Sequence, residues 1–204
     1  MAEQTRFRGQ LLNTCSGAIV FILLGSVWAI FGLWALGAKA EPLVAIILAL
    51  SMLLLLIVSI NALLKVLRLP QDALSAEMRE HIARVKRGFG IVNAAQGIAI
   101  GVTFMLCFRL QHPEYIPPVV AFIVGLHFFA LAPILRMPFD YIVGSLLCLL
   151  ALVTMFMLPM YANADDALPR RIFLWGVVIG IGAAIVLWLG AISRLRAVHW
   201  ALRM

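Results

Sequence analysis

Six stretches of the chain carry no Asp, Glu, Lys or Arg: 9–38, 42–64, 88–108, 115–135, 141–164 and 172–193. The two shortest, 88–108 and 115–135, are 21 residues each. An α-helix rises about 1.5 Å per residue, so about 20 apolar residues cross the roughly 30 Å of bilayer hydrocarbon. Every window meets that length. The runs are continuously apolar, whereas a barrel strand would alternate with a period of two, so the spanning elements are helices. Composition closes off the soluble alternatives. Hydrophobic residues make up 64% of the 204 and charged residues 12%, against roughly 45–50% and about 25% in soluble domains. A water-soluble fold of this size has too much surface to hide such a load. Soluble enzyme, disordered tail, disulfide scaffold and nucleic-acid module are excluded together. The fold class is an all-α membrane protein with six transmembrane helices, forming one integral membrane domain over 1–204.

The spans are expected at 13–36, 42–64, 89–108, 116–135, 141–162 and 172–193. Lys and Arg set the orientation. Twelve of the 16 (Arg6, Arg8, Lys65, Arg68, Arg79, Arg84, Lys86, Arg87, Arg136, Arg194, Arg196 and Arg203) fall on one side. Lys39, Arg109, Arg170 and Arg171 fall on the other. By the positive-inside rule both termini are cytoplasmic, in a multi-pass protein of the inner membrane. The long connection, 69–87, reads as a cytoplasmic amphipathic helix with Asp72 as its N-cap. Leu74, Met78, Ile82 and Val85 recur on one face, and acidic residues precede basic ones along it. Arg79, Arg84, Lys86 and Arg87 are therefore candidate contacts for anionic lipid, beside the plainer reading of a solvated connector.

The three odd-numbered spans open alike, with Asn13-x-x-x-Gly17, Asn93-x-x-x-Gly97 and Asp140-x-x-x-Gly144. The even-numbered ones close on Leu-Arg at Arg68, Arg136 and, more loosely, Arg196. Three helical hairpins repeated in parallel would produce this pattern. Gly97-x-x-x-Gly101 and Gly176-x-x-x-Gly180 are small-residue faces that permit close helix approach, within one chain or in a homo-oligomer.

Polar groups in hydrocarbon are costly and need a partner or a purpose. Asn13, Asn61, Asn93, Gln96, His127 and Asp140 are the six that stand out, and all fall in the cytoplasmic half. His127 lies nine residues from Arg136, roughly 13 Å along a helix axis. As the titratable group well inside a span, it suits a proton relay or ligand anchor, with a paired core imidazole as the plainer alternative. It is expected to face the bundle interior within reach of Asn61, Asn93 or Gln96. Asp140, four residues beyond Arg136, reads as a boundary ion pair or helix cap, or else as a cytoplasmic gate. His81, His112 and His199 lie in loops or the tail, so no metal set is expected. Cys15, Cys107 and Cys148 sit singly at different depths and read as packing residues.

The stretch Val124–Gly144 resembles a segment of small, uncharacterised six-helix bacterial membrane proteins. The shared features are Gly125-Leu126-His127-Phe128 followed by Pro, Tyr and Gly at similar spacing. The resemblance covers about a tenth of the chain and implies no activity, cofactor or catalytic residue.

Ser26, Ser51, Ser59 and Ser145 have no nucleophile motif around them, no second acid accompanies Asp140 in a span, and no phosphate-binding Gly-rich loop is present. The chain is therefore read as non-enzymatic, with no cofactor. Binding or passage of a small solute or proton through a polar pocket in the cytoplasmic half is the expected role. A structural or assembly protein without a ligand is the alternative, and an intramembrane enzyme ranks last.

Overall fold

The computed structural model of the protein describes residues 2–37, 42–69, 76–163 and 171–203. It has six helices long and apolar enough to cross a membrane. These are α1 (Ala2–Leu36), α2 (Pro42–Leu67), α3 (Ala76–Arg109), α4 (Ile116–Leu135), α5 (Phe139–Met157) and α6 (Leu174–Ala201). A 3-10 turn, Pro113–Tyr115, leads into α4. Two short strands, β1 (Tyr161–Asn163) and β2 (Arg171–Phe173), pair antiparallel between α5 and α6, with Tyr161 opposite Phe173.

Helix α1 starts at Ala2, well before 13, and α2 runs three residues past 64; three further differences from the sequence reading have local reasons. The expected connecting helix is not separate, because residues 76–87 are the first turns of a continuous α3. Asp72, its expected cap, lies outside the described residues. Helix α5 stops at Met157, short of 162, because Pro159 holds the preceding Leu158 in an extended conformation (φ −108°, ψ 144°). The chain then turns into the β1–β2 hairpin. Helix α6 runs on to Ala201, well past 193, and this extension carries the chemistry described below.

Helices α1, α4, α5 and α6 form the core. Its buried side chains are Ala18, Phe21 and Ile22 of α1, Val124 and Phe128 of α4, Val143 and Leu147 of α5, and Ala183, Leu187, Ala191 and Leu195 of α6. The most extensive interface joins α1 to α6, followed by α4 with α5. Neither pair falls within one of the three proposed hairpins, so the strongest packing runs across the proposed repeats. Helix α2 backs onto α1 and α6, where Val66 meets Leu11, Cys15 and Val198. Helix α3 packs mainly on α4. Only 6% of the α2 and α3 spans is buried within the protein, against 50% for α6.

Small residues explain the α1–α6 contact. A Cβ placed on Gly180 would lie 2.5 Å from the Gly32 backbone, and one on Gly176 would lie 2.8 Å from the Ala35 Cβ. The Gly176-x-x-x-Gly180 face is thus a tight seam, as its spacing suggested. Gly97 and Gly101 behave differently. A Cβ at either meets nothing within 4 Å, because α3 turns this face away from α4. Trp188 adds a buried hydrogen bond across the α1–α6 seam, donating from Nε1 to the Ile22 carbonyl at 3.2 Å. At the far end Trp175 donates to the Leu158 carbonyl at 3.1 Å and meets Tyr115 edge-on.

These two kinds of glycine predict opposite outcomes. Gly180→Ala forces backbones apart and should cost about 1–3 kcal/mol, as overpacking does. Gly97→Ala and Gly101→Ala have room for the methyl and gain helix propensity, so they should be neutral or stabilising by up to about 1 kcal/mol. Unfolding titrations in mixed detergent micelles would measure all three.

Candidate functional site

Asp140 sits in the first turn of α5, where the positive end of the helix dipole favours a carboxylate. It shares a stripe with Val143, Gly144, Leu147 and Ala151, all buried, and that stripe turns it inward. Arg194 lies on α6, on a second buried stripe with Leu187, Ala191 and Val198. The two stripes bring the charges together. Arg194 Nη2 donates to both carboxylate oxygens of Asp140, at 2.5 and 2.7 Å. The Asp140 side chain is 1% exposed and that of Arg194 6%, so this is a buried ion pair.

Helix α1 closes the site from the other side. The Arg194 Cζ lies 4.2 Å from the centroid of the Phe21 ring, within cation–π range. Phe21 in turn meets Phe128 of α4 edge-on, with centroids 5.1 Å apart. Gly17 lies against the guanidinium, and a Cβ there would collide with Nη1. Phe21 also fills the notch left by Gly190 of α6. One polar contact therefore ties α1, α5 and α6 directly, and α4 through an aromatic pair. Seven residues separate Arg194 from Ala201 at the end of α6, a depth of about 10 Å along the helix.

The ion pair corrects the expected partner of Asp140. Arg136 is exposed and caps α4 in the left-handed region (φ 54°, ψ 41°), and the Asp140 carboxylate pairs with Arg194 instead. The charge count places Arg194 among the basic residues of the cytoplasmic side, because it follows the last charge-free window. A signal was available, since apolar residues at 187, 191, 195 and 198 keep helical spacing past the window's end. That periodicity places residue 194 on the buried side.

Among the described residues, no hydrogen bond joins the other candidate polar residues to one another. Asn13 is exposed on α1, and Asn61 is exposed on α2. Helix α2, which carries Asn61, packs mainly on α1 and α6, whereas His127 lies beside α3. Asn93 is half-buried and donates from Nδ2 to the Phe89 carbonyl of its own helix at 2.7 Å. Gln96 is half-buried on α3, one turn beyond Val92. His127 is half-buried between α3 and α4, beside the Val92 backbone and the Phe128 ring. Its Nδ1 is buried without a hydrogen-bond partner, as is Ser59 Oγ on α2. Asn13, Asn93 and Asp140, equivalent in the hairpin pattern, thus occupy exposed, half-buried and fully buried environments. Among the described residues no group of three His, Cys, Asp or Glu side chains could hold a metal ion.

Removing one partner of a buried ion pair leaves an uncompensated charge, which typically costs about 3–5 kcal/mol. Asp140→Asn and Arg194→Ala should each destabilise the protein on that scale. The double variant Asp140→Leu with Arg194→Met should recover most of the loss, since an apolar replacement of both charges is tolerated. Thermal unfolding in detergent, followed by helical circular dichroism, would read the order of the three.

Comparison with protein-family models, with curated proteins and with solved structures returns no match for this chain.

Proposed function

We propose that this chain is a non-enzymatic, multi-pass protein of the inner membrane that acts as a structural or assembly element. The observation that carries this reading is the Asp140–Arg194 pair, in which the two buried charges are directed at each other inside a helix junction, with Arg194 Nε buried and unpartnered beside them. Four hydroxyls within the helices are bonded locally. Thr14, Ser26, Thr103 and Thr154 each donate to the carbonyl four residues back in their own helix. Such bonds satisfy a hydroxyl in hydrocarbon without building a recognition site. The core helices thus form a locked scaffold, and α2 and α3 form its lipid-facing periphery. The 12-to-4 distribution of Lys and Arg supports cytoplasmic termini.

The second reading is binding or passage of a small solute or proton. It draws on His127, whose buried Nδ1 lacks a partner. Proteoliposomes carrying an internal pH-sensitive dye separate the two. On the structural reading, an imposed pH gradient decays no faster with the protein than in empty vesicles, and His127→Gln changes nothing. A protein-dependent proton flux that falls in His127→Gln would replace the structural reading with the transport one.

A further inference from the structure

The Arg136 guanidinium, released from the expected pairing with Asp140, has another setting. Between α3 and α4 lies an open groove of about 320 Å³ lined by Arg84, Val85, Gly88, Ile134 and Arg136. Two cations from different helices thus flank an apolar floor. Gly88 keeps that floor open. A Cβ there would enter the groove and touch the Ile134 side chain at 3.4–3.8 Å. The apolar helix segments long enough to span a membrane begin at Ala83 in α3 and end at Leu135 in α4, so by length and composition the groove sits at the ends of two candidate spans. Arg136 is held on the left-handed turn between α4 and α5, and both arginines are exposed. Of the other basic residues considered for lipid contact, Lys86 and Arg87 are exposed outside the groove, and the Arg79 side chain lies outside the described residues. Glu80, one turn before Arg84, is exposed and makes no ion pair with it.

We propose that this groove binds the phosphate of an anionic phospholipid headgroup, with Arg84 and Arg136 clamping the phosphate and Val85, Gly88 and Ile134 receiving the first carbons of the lipid. The pattern fits a lipid better than a free anion. Arginine forks match phosphate oxygens, but Val85, Gly88 and Ile134 between them are apolar, and Phe89 and Ile91 of the same helix as Val85 are exposed apolar side chains. This site is independent of the scaffold reading, since neither arginine touches the Asp140–Arg194 junction.

Native mass spectrometry of the full-length protein in detergent provides the test, using phosphatidylglycerol and phosphatidylcholine of matched chains. Phosphatidylglycerol should be retained preferentially. Each of Arg84→Gln and Arg136→Gln should lower that preference roughly fivefold, as expected for one cation at a membrane surface, and the double variant should abolish it. Gly88→Leu should remove retention with both arginines intact, whereas Lys86→Gln with Arg87→Gln should leave it unchanged. Equal retention of the two lipids, or an equal loss in the Lys86/Arg87 variant, would overturn the site. Displacement of the lipid by millimolar glycerol phosphate would overturn the lipid assignment in favour of a soluble phosphate.

Discussion

A carboxylate and a guanidinium taken out of water must find each other, and in this protein their meeting sets the geometry of the core. Asp140 and Arg194 come from helices that belong to one hairpin, but the guanidinium also stacks on Phe21 of α1 and requires the absence of a side chain at Gly17. The burial of two charges imposes an angular constraint that apolar packing alone would not. Lipid tails are as apolar as leucine, so helices in a bilayer gain little from hydrophobic association. Close packing and directed polar contacts have to supply the specificity instead. The α1–α6 interface has both, with Gly32 against Gly180 along its length, the Trp188 hydrogen bond in the middle and the ion pair near one end.

The same logic separates core from periphery. Helices α1, α4, α5 and α6 share a buried cluster, whereas α2 and α3 present most of their surface outward. An outward Leu or Ile is unremarkable in hydrocarbon, so α2 needs little polar or small-residue content to be stable where it is. Helix α3 differs, since it brings Arg84 to the groove that Arg136 also lines while its glycine face stays open. Charge on this molecule therefore has two regimes. In the core it is neutralised internally, and at the groove Arg84 and Arg136 are exposed on opposite sides.

How much of this was legible in the sequence depended on which physical constraint was operating. The six spans were legible because hydrocarbon thickness imposes a length and forbids unpaired charge, and both are visible residue by residue. The fate of Arg194 was not, because counting charges treats every arginine at a span end as solvated. Only the apolar spacing at 187, 191, 195 and 198 distinguishes it. The α5 end was readable in principle from Pro159, but hydropathy carried the expected span through it. The expected grouping of His127 with Asn61 required α2 to lie beside α4, and helix neighbours in a bundle are not encoded in the span pattern. For Asn93, its own helix offers a carbonyl four residues back that competes with any tertiary partner, and spacing in the sequence does not say which wins. Gly97 and Gly101 have the spacing of a packing seam, yet spacing does not say which way a helix is rotated.

The central claim is that Asp140 and Arg194 form a direct contact within the membrane-embedded bundle. Magic-angle-spinning NMR on the protein in lipid bilayers, with labelled arginine and aspartate, measures the distance between the Arg194 guanidinium nitrogens and the Asp140 carboxylate carbon. The structure predicts strong dipolar coupling, consistent with N–O contacts of 2.5 and 2.7 Å, and slow exchange of the Arg194 side-chain protons with water. Absence of that coupling, with Arg194 protons exchanging as rapidly as those of an exposed arginine, would contradict the account.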